Sequence, residues 1–301
     1  MNSLEFSIWI AFSSLLAGLL GSLTGLGGGV VIVPVLTILF HVDIHYAIGA
    51  SLVSVIATSS GAAAAYVREG FSNIRIGMLL EIATTLGALL GAYLTAKVSG
   101  HAIGMVFGVV LLYSAWATVR MKHNAATINS PDRLAAWLRL SGDYPASKDE
   151  ADGAENVSGD RGRVAGEVAP DGKIAYSAQH VPAGFGLMFV AGTLSGLLGI
   201  GSGAVKVLAM DQAMKLPFKV STTTSNFMIG VTAAASAGIY LSRGYILPGL
   251  AMPVMLGVLA GSLIGARLLA RMQVHTLRIV FSIVIVMLGL EMIYSAARGS
   301  L

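Results

Sequence analysis

The sequence predicts a helical membrane protein that crosses the bilayer several times and consists of two related halves. Three observations support this prediction. The chain of 301 residues is 55% hydrophobic and 11% charged, with a mean hydropathy of +0.78. Its apolar residues form repeated blocks of about 17 to 25 residues, enough for a helix to cross a hydrocarbon core of roughly 30 Å. The first half also matches the second at a constant offset.

Composition excludes several classes of function. Cysteine is absent, which excludes disulfides, thiolate metal sites and thiol nucleophiles. The formal net charge is +4, but the basic residues stand singly at the ends of apolar blocks, which indicates topology and not a nucleic-acid surface. We therefore predict no metal and no cofactor. The expected partners are a small anion and the lipid bilayer, with homo-oligomerisation left open. Residues 1–21 carry Glu5 in place of a basic first region and predict a retained first helix.

An internal duplication relates the two halves. The chain matches itself without gaps from Ala17 to about Phe107 at an offset of 174 residues, the separation of Ser51 and Ser225. Bias in composition would align glycines, but it would not align tyrosine and histidine in one register. In that register, Gly25, Gly27, Gly29, Ser51, Tyr66 and His101 fall on Gly199, Gly201, Gly203, Ser225, Tyr240 and His275.

Each half predicts five helical segments, of which the second is short. The predicted segments are 4–23, 29–40, 46–67, 76–97 and 102–119 in the first half and 181–198, 203–214, 220–241, 250–271 and 275–294 in the second. A helix of about twelve residues spans only some 18 Å, too little to cross. The short segments are therefore expected to be half-helices or arms of re-entrant hairpins, held inside the protein.

The positions of the basic residues predict the orientation. If the termini lie outside, only Lys97, Arg243 and Arg298 are external, whereas the inner side collects Arg68, Arg75, Arg120, Lys122, Lys215, Lys219, Arg267, Arg271 and Arg278. This implies an odd number of crossings per half and hence two inverted repeats. We predict a first repeat over 1–120, a cytoplasmic linker over 121–180 and a second repeat over 181–301.

The linker is polar and contains local structural signals. Ser130-Pro131-Asp132 predicts a helix start, with Ser130 as N-cap and Pro131 in the first turn. Residues 164–176 contain Pro170-Asp171-Gly172 and favour a hairpin. Both a regulatory element and a plain cytoplasmic loop are compatible with this segment.

Two glycine clusters are the most informative local feature. Each one precedes a short helix, so that backbone amides can approach a ligand at the positive end of the helix dipole. Two such ends meeting near the membrane midplane would form an anion site. Glycines that only permit a tight turn and close helix packing are a compatible alternative. The predicted substrate-binding glycines, with the serine between them, are Gly25, Gly27, Gly28, Gly29, Gly199, Gly201, Ser202 and Gly203.

Polar side chains near these clusters extend the candidate site. Ser51, Thr224, Ser225 and Asn226 open the third segments and could donate hydrogen bonds to a sulfo or carboxylate oxygen, although such hydroxyls often bond only to their own helix. Lys206 lies three residues after Gly203 in an apolar helix, where an ammonium facing lipid is costly. It either adds charge to an anion path, or extends to the membrane interface, or pairs with Asp211. Glu81 could carry a coupling proton, but its place near a helix end favours an interfacial carboxylate.

These residues carry a family resemblance. The first glycine turn is followed by Val33-Pro34 and by the run AIGASL from Ala47 to Leu52, and the second turn by the run VSTTTSN from Val220 to Asn226. The pattern resembles the sulfite exporter TauE/SafE family of membrane permeases over nearly the whole chain except 121–180. The resemblance implies a multi-pass permease of the cell membrane, often an exporter, for sulfite, sulfonates or related organic acids. Leu208 replaces Pro34 in the second repeat, which puts the helix geometry there in question.

Two other functions remain as alternatives. An anion channel would use the same site without alternating access. A membrane-embedded enzyme would need a nucleophile, a metal cluster or paired acids inside the bilayer, and the sequence shows no such motif in a helix. The predicted function is therefore non-enzymatic transport of a small anion.

Overall fold

The protein is a helical membrane protein with one small antiparallel sheet in its central segment. Its structure, a computed structural model, describes residues 3–24, 28–68, 73–120, 133–138, 140–145, 173–201, 203–269 and 274–299. Within these ranges, four helices are long and apolar enough to cross a membrane: Ile74–Thr95, Gly100–Ala117, Val181–Leu198 and Pro248–Gly265. Large apolar side chains such as Trp9, Leu263 and Met287 are more than half exposed on the outer helix faces, as expected for contact with lipid.

The helices follow the predicted order closely. In the first half they are α1 (Ser3–Thr24), α2 (Gly29–Pro34, continued as a π-helical turn over Val35–Leu39), α3 (Ile44–Arg68), α4 (Ile74–Thr95) and α5 (Gly100–Arg120). The central segment contains α6 (Arg133–Trp137), β1 (Gly142–Pro145) and β2 (Lys173–Tyr176). In the second half they are α7 (Val181–Leu198), α8 (Gly203–Leu208, continued as a π-helical turn over Ala209–Ala213), α9 (Phe218–Ser242), α10 (Pro248–Leu269) and α11 (Val274–Arg298).

The duplication seen in the sequence is also present in the structure. α3 and α4 begin and end 174 residues before α9 and α10, and both π-helical turns obey the same offset. Leu208 in place of Pro34 therefore leaves the geometry of the short helix unchanged. The short helices also end alike, because His41 and Lys215 occupy the left-handed region with φ of 54° and 56°.

Glycine contacts join the first helix of each half to the fourth helix of the other. A Cβ placed on Gly87 of α4 would overlap Phe189 O of α7, and one on Gly261 of α10 would overlap Leu15 O of α1. These contacts occupy matched positions in the two halves. The absence of side chains at both places lets the helix backbones touch, as in other small-residue interfaces between membrane helices.

The remaining contacts are shared between equivalent helices. α3 packs against α9, and α5 packs against α11. A Cβ on Gly299 would lie 3.3 Å from His101 Nε2, and one on Gly108 would lie 2.7 Å from Gly289 O. The start of α5 thus meets the end of α11, so these two equivalent helices run antiparallel.

The central segment differs in part from its prediction. A short helix is present at Arg133–Trp137, whereas its predicted cap at Ser130 lies outside the described residues. The last residues of the predicted hairpin, β2, pair with β1, where Asp143 lies opposite Ala175, and the rest of the hairpin, 164–172, lies outside the described residues. Distant pairing of this kind has no local sequence signal.

This small sheet packs onto the start of the membrane helices. Asn73 caps α4, with its Oδ1 accepting from Ile76 N at 3.1 Å, and its Nδ2 donates to Tyr176 OH at 2.8 Å. Burial raises the pKa of Tyr176 to about 12, with the Asp143 carboxylate acting in the same direction, so the hydroxyl stays protonated at neutral pH. Ile174 and Tyr176 join an apolar cluster with Ile76 of α4 and Val220 of α9.

Candidate functional site

The two glycine turns lie next to each other at the contact between the halves. Ser51 Oγ of α3 donates to Gly199 O at 2.8 Å, and a Cβ placed on Gly29 would lie 3.2 Å from the same carbonyl oxygen. These described residues of the two turns are in contact, and the anion site expected at this place stays a prediction. Gly25, Gly27 and Ser202 lie outside the described residues.

Backbone conformation explains the glycines of the second turn. Gly199 and Gly201 have φ of +67° and +68°, in the left-handed region that other residues rarely adopt. A Cβ on Gly201 would in addition lie 2.8 Å from Ile229 Cγ2. A side chain at this turn is therefore excluded both by backbone conformation and by packing.

Ser51 and Ser225 occupy equivalent places. Ser225 Oγ of α9 donates to Gly203 O at 3.3 Å, and Ser51 Oγ lies 3.5 Å from Gly29 O. Ser225 thus donates to the first residue of α8, whereas Ser51 donates to Gly199 in the facing turn. The two serines therefore hold the turns in place. Their hydroxyl oxygens can still accept a hydrogen bond from a donor.

The polar run that opens α9 divides between two surroundings. Thr224 Oγ1 accepts from Asn73 N at 3.2 Å and so faces the start of α4, away from the glycine turns. Ser221 Oγ and Thr222 Oγ1 are buried and have no hydrogen-bond partner among the described residues. Asn226 is half-buried. The sequence prediction missed Ser221 and Thr222, whose unpaired hydroxyls suit a bound polar ligand better than the engaged Thr224 does.

Lys206 is completely buried, and its partner is not the one that the sequence suggested. Its Nζ donates to Thr232 Oγ1 of α9 at 2.6 Å. Among the described residues no ion pair joins it to Asp211, so the Asp211 alternative is not the one that the structure shows. Asp211 lies in the π-helical turn after α8, at 3% exposure.

Glu81 completes the surroundings of Lys206. Its Oε1 accepts from Thr232 Oγ1 at 2.8 Å and from Thr85 Oγ1 at 3.1 Å, whereas its Oε2 has no partner in the described part of the chain. The side chain is 8% exposed. The sequence favoured an interfacial carboxylate, and in the structure this carboxylate is covered by neighbouring helices, since α4 packs against α7 and α9.

This charged group exists in one half only. The positions equivalent to Glu81, Lys206 and Thr232 are Met255, Ile32 and Thr58. Thr58 Oγ1 donates only to carbonyls of its own helix, Ser54 O at 3.0 Å and Val55 O at 3.2 Å. At these positions the two halves share a fold but differ in charge.

A separate groove lies on the outside of the bundle. It has a volume of about 330 Å³ between α5, α7 and α8, and Tyr113 and Leu187 in its wall are nearly half exposed. Its lining is aliphatic and aromatic apart from Gln212. Such a surface suits lipid chains and not a small anion. The described residues also contain no group of three or more His, Cys, Asp or Glu placed to hold a metal ion.

Sequence comparison identifies the family. The model of the family described as sulfite exporter TauE/SafE matches residues 10–292. The chain belongs to this family. The matched range contains the helices α2 and α8, the glycine turns and the buried Lys206. Membership of the TauE/SafE family indicates a multi-pass membrane transporter.

Individual relatives agree with this assignment. The chain is 29% identical over 287 residues to the probable membrane transporter protein YunE of Bacillus subtilis (strain 168), covering 93% of this chain and 94% of the relative. It is 25% identical over 253 residues to the probable membrane transporter protein YdhB of the same organism, covering 84% and 86%. It is 22% identical over 293 residues to the probable membrane transporter protein MJ0441 of Methanocaldococcus jannaschii, covering 92% of each. No solved structure matches the chain significantly.

Proposed function

We propose that the protein is a carrier for a small anion such as sulfite, a sulfonate or a related organic acid. The observation that carries this proposal is the meeting of the two glycine turns across the contact between the halves, through Ser51 Oγ and Gly199 O at 2.8 Å. Each turn leads into a short helix, and paired short segments at corresponding places are typical of midplane substrate sites in transporters.

The charge of the site favours an anion. Lys206 lies one helical turn after Gly203, and its ammonium has three N–H groups, of which one is used on a described residue. The first amides of α2 and α8 carry partial positive charge, which adds to that of the ammonium. We propose that the substrate contacts come from Gly25, Gly27, Gly28, Gly29, Gly199, Gly201, Ser202, Gly203, Lys206 and Asn226, while Ser51 and Ser225 hold the glycine turns and Thr224 holds the start of α4.

We further propose that 1–120 and 181–301 form inverted repeats, with 121–180 in the cytoplasm. The antiparallel course of α5 and α11 supports this arrangement, because equivalent helices of two parallel repeats would run in the same direction. The distribution of Lys and Arg supports the orientation.

The rival functions make different predictions. A channel would conduct without counterflow, and an enzyme would change its substrate chemically. The names of the family and the relatives favour transport. The family description implies export, and the direction in this protein depends on which gradient drives the carrier.

A substrate screen tests the proposal. Purified protein in liposomes should take up at least one of sulfite, sulfoacetate, taurine, thiosulfate and small carboxylates faster than empty liposomes do, and the solute should be recovered unchanged. Chemical conversion of the solute would favour the enzyme. Failure of all these anions, with folded protein in the vesicles, would reject an anion carrier of this class.

A further inference from the structure

The hydrogen-bonded chain of Lys206, Thr232 and Glu81 can form further hydrogen bonds at both ends. Of its three N–H groups, Lys206 Nζ donates one to a described residue, Thr232. Glu81 Oε2 is buried and has no partner among the described residues. The ammonium end can therefore still bind oxygen atoms, and the carboxylate end can still bind a proton.

Lys206 is the charged group that faces Glu81. The helix α7, which packs along α4, contains no titratable residue. From α9 the hydroxyl of Thr232 faces the carboxylate, while Tyr240 bonds to Thr95 near the other end of α4, and Lys219 has a side chain outside the described part. On α4 itself the neighbours are threonine hydroxyls, Thr85 among them.

Charge balance makes the occupancy of the two ends interdependent. With Glu81 ionised, its charge compensates that of Lys206 through a single hydroxyl. An anion arriving at Lys206 would then bring a second negative charge to one ammonium in a poorly screened interior, which is costly. With Glu81 neutral, the ammonium is uncompensated and attracts the anion.

We propose that Glu81 takes up a proton when the substrate anion binds at Lys206, so that the protein moves anion and proton together in the same direction. This inference rests on the proposed anion carrier. The proton comes from bulk water on one side, forms an O–H bond at Oε2 and returns to water on the other side, with no electron transfer. Because binding free energies are reciprocal, the anion favours protonation as much as protonation favours the anion.

The same contacts argue against a metal cation as the coupling ion. Na⁺ or Ca²⁺ would need several oxygen ligands around the carboxylate, and here the positive charge nearest to it is already the ammonium of Lys206. A proton requires only the one free oxygen atom.

At this pair of equivalent positions, only one half offers a carboxylate for a coupled proton. Ile32 and Met255 replace the charged pair in the equivalent position of the other half. Thr58 therefore provides a matched control for Thr232, since both hydroxyls lie in equivalent helices and only one of them bridges charges.

Coupling of this kind determines direction. Anion flow follows the proton gradient, and it is inward wherever the cell exterior is more acidic than the cytoplasm. This is opposite to the export that the family description implies, so the two can be separated by experiment.

Infrared difference spectroscopy on the purified protein tests the proton site without requiring transport. Acidification in the presence of thiosulfate should produce a carboxylic-acid carbonyl band that is absent from Glu81→Gln. If the wild type and Glu81→Gln give the same bands, the proposal is overturned. The double variant Glu81→Met with Lys206→Ile, which copies the apolar pair of the other half, should also lack the band and guards against a misfolded single variant.

Thiosulfate uptake into vesicles tests the coupling, because thiosulfate stays fully ionised over neutral pH. At zero membrane potential, one coupled proton should accumulate thiosulfate about tenfold per unit of pH gradient, alkaline inside. Glu81→Gln should equilibrate thiosulfate without accumulation, at a rate independent of pH. Thr232→Val should weaken accumulation, whereas Thr58→Val should leave it as in the wild type.

The outcomes separate this inference from the proposed function. Accumulation by Glu81→Gln equal to that of the wild type would refute proton coupling while leaving the carrier intact. Wild-type vesicles that take up no thiosulfate would count against the carrier for this anion, and the infrared measurement would then decide the proton site by itself.

Discussion

Lys206 and Glu81 carry opposite charges where either alone would be costly. Both are buried, and Thr232 is bonded to each of them. Buried pairs of this kind contribute little net stability compared with apolar residues, but removal of one partner leaves the other charge uncompensated. Substitution of one member of this pair should therefore change the stability of the protein through the charge left on the other member.

Lys206→Met should lower the free energy of unfolding by about 3 to 5 kcal/mol, because it leaves the Glu81 carboxylate uncompensated. Adding Glu81→Gln should restore most of the loss, measured as Tm in detergent. Adding Asp211→Asn in its place is the control and should restore little. Rescue by the Asp211 change and not by the Glu81 change would mean that Asp211 is the partner of Lys206.

The sequence was sufficient to predict that Lys206 is special, because a single cation stands within an apolar helix. Its partner could not be predicted in the same way. Asp211 is the nearest acid along the chain, whereas Glu81 belongs to the other half and reaches Lys206 only through the packing of α4 against α9. Ser221 and Thr222 were missed for a related reason, since six consecutive polar residues on α9 do not reveal which of them face a partner.

At the scale of the helices, small residues determine which elements meet. α4 lies against α7 along Gly87, where a methyl group would overlap Phe189 O, and a similar contact joins Gly192 to Thr84 O. The opposite situation occurs at Gly186 of α7, where a Cβ would meet nothing within 4 Å.

Gly87→Ala should destabilise the protein by about 1 to 3 kcal/mol, because the added methyl forces two helix backbones apart. Gly186→Ala, on the exposed face of α7, is the matched control and should change Tm little. Equal effects of the two substitutions would show that helix contact at Gly87 is not close.

The central segment predicts a second effect at this scale. Tyr176→Phe removes the hydroxyl that accepts from Asn73 Nδ2, which should cost about 1 kcal/mol and speed tryptic cleavage within 121–180. Since burial raises the pKa of Tyr176 from 10.0 to about 12, the stability that depends on its neutral hydroxyl is complete below pH 10 and is lost as the pH rises toward 12. Trp137→Phe, at a side chain that is 79% exposed, is the control. Equal cleavage rates in the two variants would mean that the Asn73 contact does not hold the sheet in place.

Helix positions were predictable from the sequence to within a few residues, and the β1–β2 pairing was not. A long apolar block indicates the position of each helix from local sequence alone. The repeat indicates it a second time through the equivalent block in the other half. The sheet depends on two four-residue strands that are far apart in the chain, Gly142–Pro145 and Lys173–Tyr176. A local turn signal at Pro170-Asp171-Gly172 therefore indicated a hairpin and could not indicate the pairing of β2 with β1.

At the scale of the whole molecule, the contacts are nearly unchanged by exchange of the two halves. α1 meets α10 as α7 meets α4, and α5 meets its own equivalent α11. Such exchange symmetry supports alternating access, in which one arrangement of the halves and its counterpart open the site to opposite sides.

Reporter fusions test the proposed orientation. A fusion within 146–172 should report the cytoplasm, and a fusion after Leu301 should report the outside, because the proposed repeats each cross an odd number of times. Reporters at both places on the same side of the membrane would exclude inverted repeats.

Counterflow in proteoliposomes tests the central claim most directly, which is that a small anion binds between the two halves and crosses by alternating access. Vesicles are loaded with a high concentration of the anion selected by the uptake screen, and a trace of the labelled anion is added outside. A carrier predicts a transient accumulation of label above its external concentration, which then decays as the internal pool leaves. Label that only equilibrates, at a rate unaffected by the internal anion, would contradict the account and indicate a pore.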